Sequence, residues 1–225
     1  MRVLIFGATG MVGQAVLREC LLDPAIAEVV TIGRTATGQQ HEKLRELVHA
    51  DLFDYTKITA ELSGFDACFF CLGVGSSGMS EEAYRRITRD IAVAAATTLV
   101  RLNPQMTFVF ISGAGADSTG RSRTMWARVK GEAENAILQL PFRRAYAFRP
   151  AMIQPLHGIR SRTKLYRVLY IFMAPLLPLF RRVFPQYVTT TERLGRAMIN
   201  AATHGAPKAV LENSDINQLA ELPQR

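Results

Sequence analysis

The sequence predicts a doubly wound α/β fold built on a parallel β-sheet, with a small helical lobe near the C-terminus. Three observations support this prediction. Short aliphatic runs of strand length alternate with segments of helical periodicity, which is typical of βαβ units. A glycine-rich turn joins the first such run to the first helix. The chain of 225 residues is 48% hydrophobic and 20% charged, so it can bury an ordinary globular core.

Six runs of aliphatic or aromatic residues are predicted to be buried strands of that sheet. They are Val3–Phe6, Val29–Ile32, Leu47–Ala50, Ala67–Cys71, Thr107–Ile111 and Ala145–Phe148. Helical patterns fill most of the gaps, at residues 55–62, 80–101 and 122–139, and a later helix is expected at about 190–203. We therefore expect one domain over residues 1–225, with a core over 1–155 and a substrate lobe and tail over 156–225.

The first strand runs directly into Gly7-Ala8-Thr9-Gly10-Met11-Val12-Gly13, a turn that opens a helix. A dinucleotide site requires small residues at this spacing. The first glycine permits the tight turn, the second lets the backbone approach a pyrophosphate, and the third lets the helix pack closely on the strand. A purely structural tight turn is the alternative. Because the turn heads a βαβ series, the sequence favours a dinucleotide-binding Rossmann site.

The end of the second strand favours NADP over NAD as the cofactor. An NAD site usually places Asp or Glu here to bind the ribose 2′-hydroxyl, but this chain reads Gly33-Arg34-Thr35, with no acid between Glu28 and Glu42. A guanidinium can bind a 2′-phosphate in a forked geometry. The alternative is that Arg34 is a solvated surface residue. Asp51, after the third strand, is predicted either to meet the adenine or to cap the following turn.

Taken together, these motifs resemble those of the atypical, extended-like short-chain dehydrogenase/reductases, the NAD(P)-binding epimerase-type Rossmann family. The resemblance covers about residues 1–155. Besides the glycine turn, it is carried by Gly33-Arg34, Asp51-Leu52, Cys71-Leu72-Gly73, Ile111-Ser112-Gly113-Ala114-Gly115, Lys130-Gly131-Glu132 and Phe148-Arg149-Pro150. These motifs are specific for the superfamily but say little about the substrate.

The resemblance also implies roles for individual residues. The cofactor site is expected to include Gly7, Thr9, Gly10, Met11, Val12, Gly13, Arg34, Asp51, Leu52, Cys71, Leu72, Gly73, Lys130, Pro150 and Met152. Ser112 falls where the family's catalytic serine binds the substrate carbonyl. Lys130 falls where the family's lysine holds the nicotinamide ribose and lowers the pKa of a tyrosine. The segment Pro150-Ala151-Met152-Ile153 is expected to pass beside the nicotinamide carboxamide.

The chain departs from the family at position 126. The family motif is Tyr-x-x-x-Lys, whereas this chain reads Trp126-Ala127-Arg128-Val129-Lys130. An indole N–H donates a hydrogen bond but does not titrate usefully, so the usual proton donor is missing. Three interpretations stay open: the protein binds NADP without catalysis, another residue supplies the proton (Tyr166 and Tyr170 being favoured among the tyrosines), or Trp126 shapes a pocket in which water or a cofactor hydroxyl serves.

The basic excess of the chain lies mainly in one stretch without acids, residues 135–191. This stretch holds nine of the 27 Lys and Arg residues, and the remainder is close to neutral, which argues against a nucleic-acid-binding protein. Within it, residues 160–182 are basic at both ends and apolar between. The uncharged run Val168–Phe180 would span about 20 Å as a helix, too short to cross a bilayer. A pocket for a small anionic substrate is favoured, with peripheral membrane contact and a homodimer interface as alternatives.

The cysteines and histidines give no sign of a metal or redox centre. Cys68 and Cys71 are three apart on a predicted strand, so they point to opposite faces, and the four histidines lack ligand spacing. An odd number of cysteines in a chain of this size favours a reduced, cytoplasmic setting. The sequence therefore predicts an NADP(H)-binding oxidoreductase that reduces a small carbonyl compound. The alternative is a non-catalytic NADP(H)-sensing protein.

Overall fold

A computed structural model describes residues 1–159 and 185–223. The strands are β1 (Arg2–Phe6), β2 (Glu28–Gly33), β3 (Leu44–Val48), β4 (Ala67–Phe70), β5 (Thr107–Ile111), β6 (Arg144–Arg149), β7 (Met152–Gln154), β8 (Val188–Thr190) and β9 (Val210–Glu212). The helices are α1 (Met11–Leu22), α2 (Glu81–Arg85), α3 (Ile91–Leu102), α4 (Met125–Leu138), α5 (Thr191–Thr203) and α6 (Asn213–Ala220). A π-helical turn, Arg86–Asp90, joins α2 to α3, and 3₁₀ turns occupy Thr56–Leu62 and Pro185–Tyr187.

Seven of the strands form one parallel sheet in the order β3-β2-β1-β4-β5-β6-β9. The chain builds outward from β1 in one direction and then from β4 in the other, so the order reverses between these two strands. This arrangement confirms the predicted doubly wound α/β fold. In such sheets ligands bind beyond the carboxyl ends of the strands at the reversal point, and that point here lies between β1 and β4.

Alternate side chains of each central strand supply two separate cores. In β1, Val3 and Ile5 face the layer of α1 and α5, whereas Leu4 and Phe6 face the layer of α3 and α4. The second layer is rich in aromatic rings, and Phe70 stacks on both Phe6 and Phe108. Burying a side chain of this size contributes about 1.5–3 kcal/mol. The two cores therefore hold the carboxyl ends of the central strands in fixed positions.

Several elements differ from the sequence prediction. The third strand is Leu44–Val48 rather than 47–50, because it is a half-exposed edge strand and not a buried apolar run. The long helix predicted at 80–101 is interrupted by the π turn. Residues 210–212, which precede the predicted tail, form β9 and are followed by α6.

The described residues after 185 pack into the same layers as the N-terminal part. β9 pairs with β6, and α5 lies against α1 in the core that also contains Phe148. The division of the chain at residue 155 stays a prediction. Residues 160–184, with the basic apolar segment, Tyr166 and Tyr170, lie outside the described residues. Within the described ranges, none of the helices has the length and apolarity needed to span a membrane.

Candidate functional site

The glycine turn closes tightly between β1 and α1. Gly7 has a positive φ of 76°, and its carbonyl oxygen accepts a hydrogen bond of 2.9 Å from the amide of Gly10. A Cβ atom at Gly7 would lie 2.7 Å from the backbone of Leu72, and one at Gly13 would lie 2.1 Å from the Gly7 oxygen. Only glycine fits at these two positions. The turn therefore presents the N-terminus of α1 to the end of the sheet, a site suited to an anion.

A cleft of about 1290 Å³ opens above the turn at the reversal point of the sheet. This volume exceeds that of a typical pocket for a drug-sized ligand and suits a dinucleotide. Most of the predicted cofactor residues line it: Gly7, Thr9, Gly10, Met11, Val12, Arg34, Asp51, Leu52, Cys71, Leu72, Gly73 and Lys130, together with the predicted catalytic residue Ser112. Gly13 lies buried behind the turn. The glycine cradle and the cleft together fit a bound dinucleotide cofactor.

One end of the cleft is formed by the segments that follow β2 and β3. The Arg34 side chain is exposed on this wall, and within the described part of the chain it forms no hydrogen bond or ion pair. Asp51 lines the same wall, and its Oδ1 accepts a hydrogen bond of 2.9 Å from the amide of Phe53. Asp51 therefore stabilises the next turn, as one of its two predicted roles requires, whereas contact with the adenine stays a prediction. Arg34 is free to receive an anionic group.

Ser112 and Lys130 lie together at the other end of the cleft. The Ser112 hydroxyl is buried and has no hydrogen-bond partner within the described residues. The Lys130 ammonium donates to the carbonyl oxygens of Ser112, at 3.0 Å, and of Ile111, at 3.4 Å. Desolvation lowers the pKa of Lys130 to about 8, and the nearby Glu134 carboxylate only partly opposes this shift. Ser112, with its buried and unpartnered hydroxyl, and Lys130, with its lowered pKa, thus line the same cleft.

Trp126 does not line the cleft, although it shares α4 with Lys130. Its indole is half-buried and packs beside Gly115, in the loop after β5, where an added Cβ would lie 3.4 Å from the ring. None of the four described tyrosines lines the cleft. Tyr55, Tyr84 and Tyr146 are buried in the fold, and Tyr187 is exposed elsewhere. The position of the usual proton donor is therefore filled by a packing residue.

A buried ion pair joins α4 to the carboxyl end of β6. Glu134, which is fully buried, accepts two hydrogen bonds from the guanidinium of Arg149, at 2.9 and 2.6 Å. Ser118, in the loop that leaves Ser112, donates to Glu134 at 3.0 Å and accepts from Arg149 at 2.7 Å. Arg149 also pairs with Glu212 on β9. This arginine of the acid-free stretch is committed to the fold, so it cannot receive an anionic substrate.

Other predicted residues lie away from the cleft. Neither Pro150 nor Met152 is part of its lining within the described chain: Pro150 accepts a hydrogen bond from the amide of Ala114, and Met152 begins β7.

Cys68 and Cys71 pack against opposite cores, as their spacing predicts, and both thiols are free. Burial raises the pKa of the Cys71 thiol. The described residues contain no group of three potential metal ligands.

The cleft also contains residues that the sequence analysis did not single out. On the β2–β3 side they include Thr37, Glu46 and Val48, and across the cleft Ile87 and Ile91 of the π turn and α3. Glu46 was missed because the third strand was expected to begin one residue later. Ile87 and Ile91 also pack in or against the second core, and helical spacing alone does not distinguish core packing from lining a cleft.

The fold and the site together define a dinucleotide-binding Rossmann protein. The sequence pattern of the NAD(P)H-binding family matches residues 7–139, and the chain belongs to that family. The glycine turn, the cleft and Lys130 all lie within the matched residues.

Curated relatives include proteins from animals and fungi. Protein HTATIP2 of Rattus norvegicus is 29% identical over 154 residues, which cover 67% of this chain and 62% of the rat protein. Protein FMP52-2, mitochondrial, of Scheffersomyces stipitis is 32% identical over 66% of this chain and 65% of its own length. The chain thus spans less than two thirds of these two relatives. Protein fmp52, mitochondrial, of Emericella nidulans is 27% identical over 207 residues, or 88% and 86% of the two chains.

Several solved structures share the fold of this chain. MoeE5 in complex with UDP-glucose and NAD has a TM-score of 0.69 at 17% identity, covering 98% of this chain and 81% of that one. WbmF of Bordetella bronchiseptica in complex with NAD⁺ has a TM-score of 0.65 at 14% identity, covering 100% and 82%. At these identities the likeness is one of fold.

Proposed function

We propose that the protein is an NADP(H)-dependent oxidoreductase that reduces a small carbonyl compound. One observation carries the proposal: the unpartnered hydroxyl of Ser112 and the amine of Lys130 share a cleft with the glycine turn. A carbonyl oxygen placed at this end would find a hydrogen-bond donor in the Ser112 hydroxyl. A bound nicotinamide cofactor supplies the hydride for such a reduction.

The binding residues divide along the cleft. The amides of the turn and of the first residues of α1 would hold the pyrophosphate, and Arg34 would hold a 2′-phosphate at the β2–β3 end. Cys71, Leu72 and Gly73, which follow β4, would line the cofactor between these ends. This assignment leaves Ser112 and Lys130 for the reacting end.

Lys130 is the group that we propose as proton donor in place of the missing tyrosine. Within the described residues, its Nζ atom donates only to the carbonyl oxygens of Ser112 and Ile111, so no acid of this part of the chain holds its proton. Because the pKa of Lys130 is lowered to about 8, the ammonium can release a proton near neutral pH. The same lysine would keep the family's role toward the ribose.

The rate of carbonyl reduction is expected to fall as the pH rises through about 8. The protonated ammonium of Lys130 is the donor, and above its pKa that form is lost, at about tenfold per pH unit. Initial rates of NADPH oxidation with a panel of aldehydes and ketones, from about pH 6 to about pH 10, would measure this. Lys130→Arg stays protonated over that range, so its residual rate should not show the fall. A wild-type rate that is independent of pH would rule out Lys130 as the donor.

Substitution of Arg34 by alanine is expected to weaken NADP(H) binding about 10- to 100-fold, the worth of a charge-assisted hydrogen bond. NAD(H), which lacks the 2′-phosphate, should bind about as before. Isothermal titration with both cofactors would measure the two affinities. Arg101→Ala, an exposed arginine on α3 outside the cleft, removes the same charge and is the matched control. Equal losses for both cofactors would contradict the assignment of NADP.

A non-catalytic NADP(H)-sensing protein is the second candidate, and Trp126 is the observation that favours it. The indole occupies the position of the family's tyrosine but packs away from the cleft. NADPH binding without turnover in the carbonyl panel, together with turnover gained in Trp126→Tyr, would favour this candidate. Turnover by the wild-type chain would exclude it.

The remaining proposals concern the substrate and the setting of the protein. The fold neighbours MoeE5 and WbmF bind UDP-sugars or UDP with NAD, which makes a small anionic substrate a reasonable first probe. The basic segment 160–182 is the proposed region for receiving it, with an anionic membrane surface or a second copy of the chain as alternatives. A cytoplasmic location is supported by the three free cysteines.

A further inference from the structure

A carboxylate stands in the wall of the cleft at the end that we assign to the 2′-phosphate. Glu46 lies on the edge strand β3, opposite Thr31 of β2, and lines the same part of the cleft as Arg34. Within the described residues it forms no ion pair. A free carboxylate here would either repel a phosphate or capture the guanidinium that should bind it.

Both oxygens of Glu46 are occupied by Thr37, three residues after Arg34. The Thr37 amide donates to Oε1 at 3.1 Å and to Oε2 at 2.9 Å, and the Thr37 hydroxyl also donates to Oε1. The hydroxyl oxygen in turn accepts a hydrogen bond of 3.2 Å from the amide of Gln39. The hydroxyl proton is therefore directed at Glu46. Gly38, with a φ of 76°, turns the chain at this point.

These contacts tie the loop that carries Arg34 to β3. They also give both carboxylate oxygens neutral donors, and Arg34 and Glu46 do not pair although both line one wall. Asp51, the other acid of this wall, is likewise engaged by a backbone amide, that of Phe53. The acids here are thus satisfied by hydrogen bonds, and the arginine is left without an acid.

We infer that Thr37 and Glu46 are positioning residues for cofactor choice: their contact holds the β2–β3 loop and keeps the Arg34 guanidinium available to the 2′-phosphate of NADP. The inference rests on the proposed NADP(H) binding. Neither residue needs to touch the cofactor, and the whole effect passes through Arg34. Without the Thr37 hydroxyl, Oε1 of Glu46 keeps only the 3.1 Å hydrogen bond from the Thr37 amide, and this oxygen can then compete with the phosphate for Arg34.

The test is the affinity of the full chain for NADP⁺ and NAD⁺, measured by titration calorimetry, in Thr37→Val. Valine keeps the β-branched shape and the backbone amide but removes the hydroxyl. NADP⁺ binding is expected to weaken about 3- to 10-fold. The lost hydrogen bond is the one to the Glu46 carboxylate, which acts on the cofactor only through Arg34. NAD⁺ binding should stay within about twofold. Thr37→Ser, which keeps the hydroxyl, is the matched control and should retain the preference for NADP⁺.

Two double variants test whether the effect of Thr37→Val arises from the Glu46 carboxylate and passes through Arg34. Glu46→Gln in the Thr37→Val chain removes the competing carboxylate, so NADP⁺ affinity should recover. In the Arg34→Ala chain, Thr37→Val should have no further effect on NADP⁺. Two results would overturn the positioning role alone. One is that Thr37→Val weakens NADP⁺ binding as much in the Arg34→Ala chain as in the wild-type chain. The other is that the ratio of the affinities for NADP⁺ and NAD⁺ is the same in Thr37→Val as in the wild-type chain. Equal affinity of the wild-type chain for the two cofactors would overturn the NADP assignment, and the positioning role with it.

Discussion

Replacement of Arg149 by methionine is expected to lower the free energy of unfolding by about 3–5 kcal/mol, the typical cost of leaving a buried charge without its partner. The Glu134 carboxylate is fully buried and takes two of its hydrogen bonds from this guanidinium. Among the described residues, Ser118 alone would remain to donate a hydrogen bond to this carboxylate. Thermal or urea denaturation, followed by circular dichroism, measures the loss.

A surface arginine provides the matched comparison. Arg45 pairs with Glu28 and Glu61 at distances of 3.5 and 3.2 Å, but its side chain is 43% exposed. Exposed pairs of this kind contribute about 0–1 kcal/mol, so Arg45→Met should be mild. In Arg149→Met combined with Glu134→Leu, most of the lost stability should return, because no buried charge is left unpaired. If Arg149→Met cost no more than Arg45→Met, the buried pair would not be a main support of the fold.

This ion pair connects the stability of the fold to the proposed active site. Glu134 lies one helical turn after Lys130 on α4, and Ser118 belongs to the loop that begins at Ser112. The amide side chain of Asn135 adds a hydrogen bond of 2.8 Å to the Ser118 carbonyl oxygen. The loop after β5 and the helix that carries Lys130 are therefore fastened to each other. Arg149, at the end of β6, completes the same junction.

The sequence was most informative where one physical requirement acts on neighbouring residues. The strands of the central sheet are buried on both faces, so unbroken apolar runs marked five of the six with errors of one residue at most at either end. The glycine turn was identified because its steric demands fall within seven residues. The edge strand β3 reads Leu44-Arg45-Glu46-Leu47-Val48, with two charged residues between apolar ones, and its position was predicted less well for that reason.

Features that depend on contacts between distant segments were not predictable in this way. Arg149 and Glu134 are 15 residues apart, and nothing local marks them as partners. Thr37 and Glu46 meet only because the β2–β3 loop folds back on the sheet edge. The packing of Trp126 beside Gly115 likewise depends on how the loop after β5 meets α4. Local motifs thus located the cofactor cleft, whereas the residues that support it required the structure.

Replacement of Gly13 by alanine is expected to weaken cofactor binding at least tenfold, corresponding to about 1.4 kcal/mol or more. Two effects oppose each other. Alanine favours a helix over glycine by about 1 kcal/mol. However, its Cβ would lie 2.1 Å from the Gly7 carbonyl oxygen and 2.7 Å from the Ala8 Cα. Backbone atoms must move to relieve such contacts, and overpacking of this kind costs about 1–3 kcal/mol or more.

The steric effect is expected to be the larger one, because neither the glycine turn nor α1 can move freely. The Gly7 carbonyl accepts the Gly10 amide within the turn, and α1 is packed against both β1 and α5. Moving α1 outward would carry its N-terminal amides away from the position where they meet a pyrophosphate. Gly113→Ala is the matched control, since Gly113 is not part of the cleft lining and an added Cβ would meet only the Lys130 side chain, at an ordinary contact distance of 4.0 Å. Titration of both variants with NADPH distinguishes them: equal, unchanged affinities would mean that α1 can shift without disturbing the cofactor site.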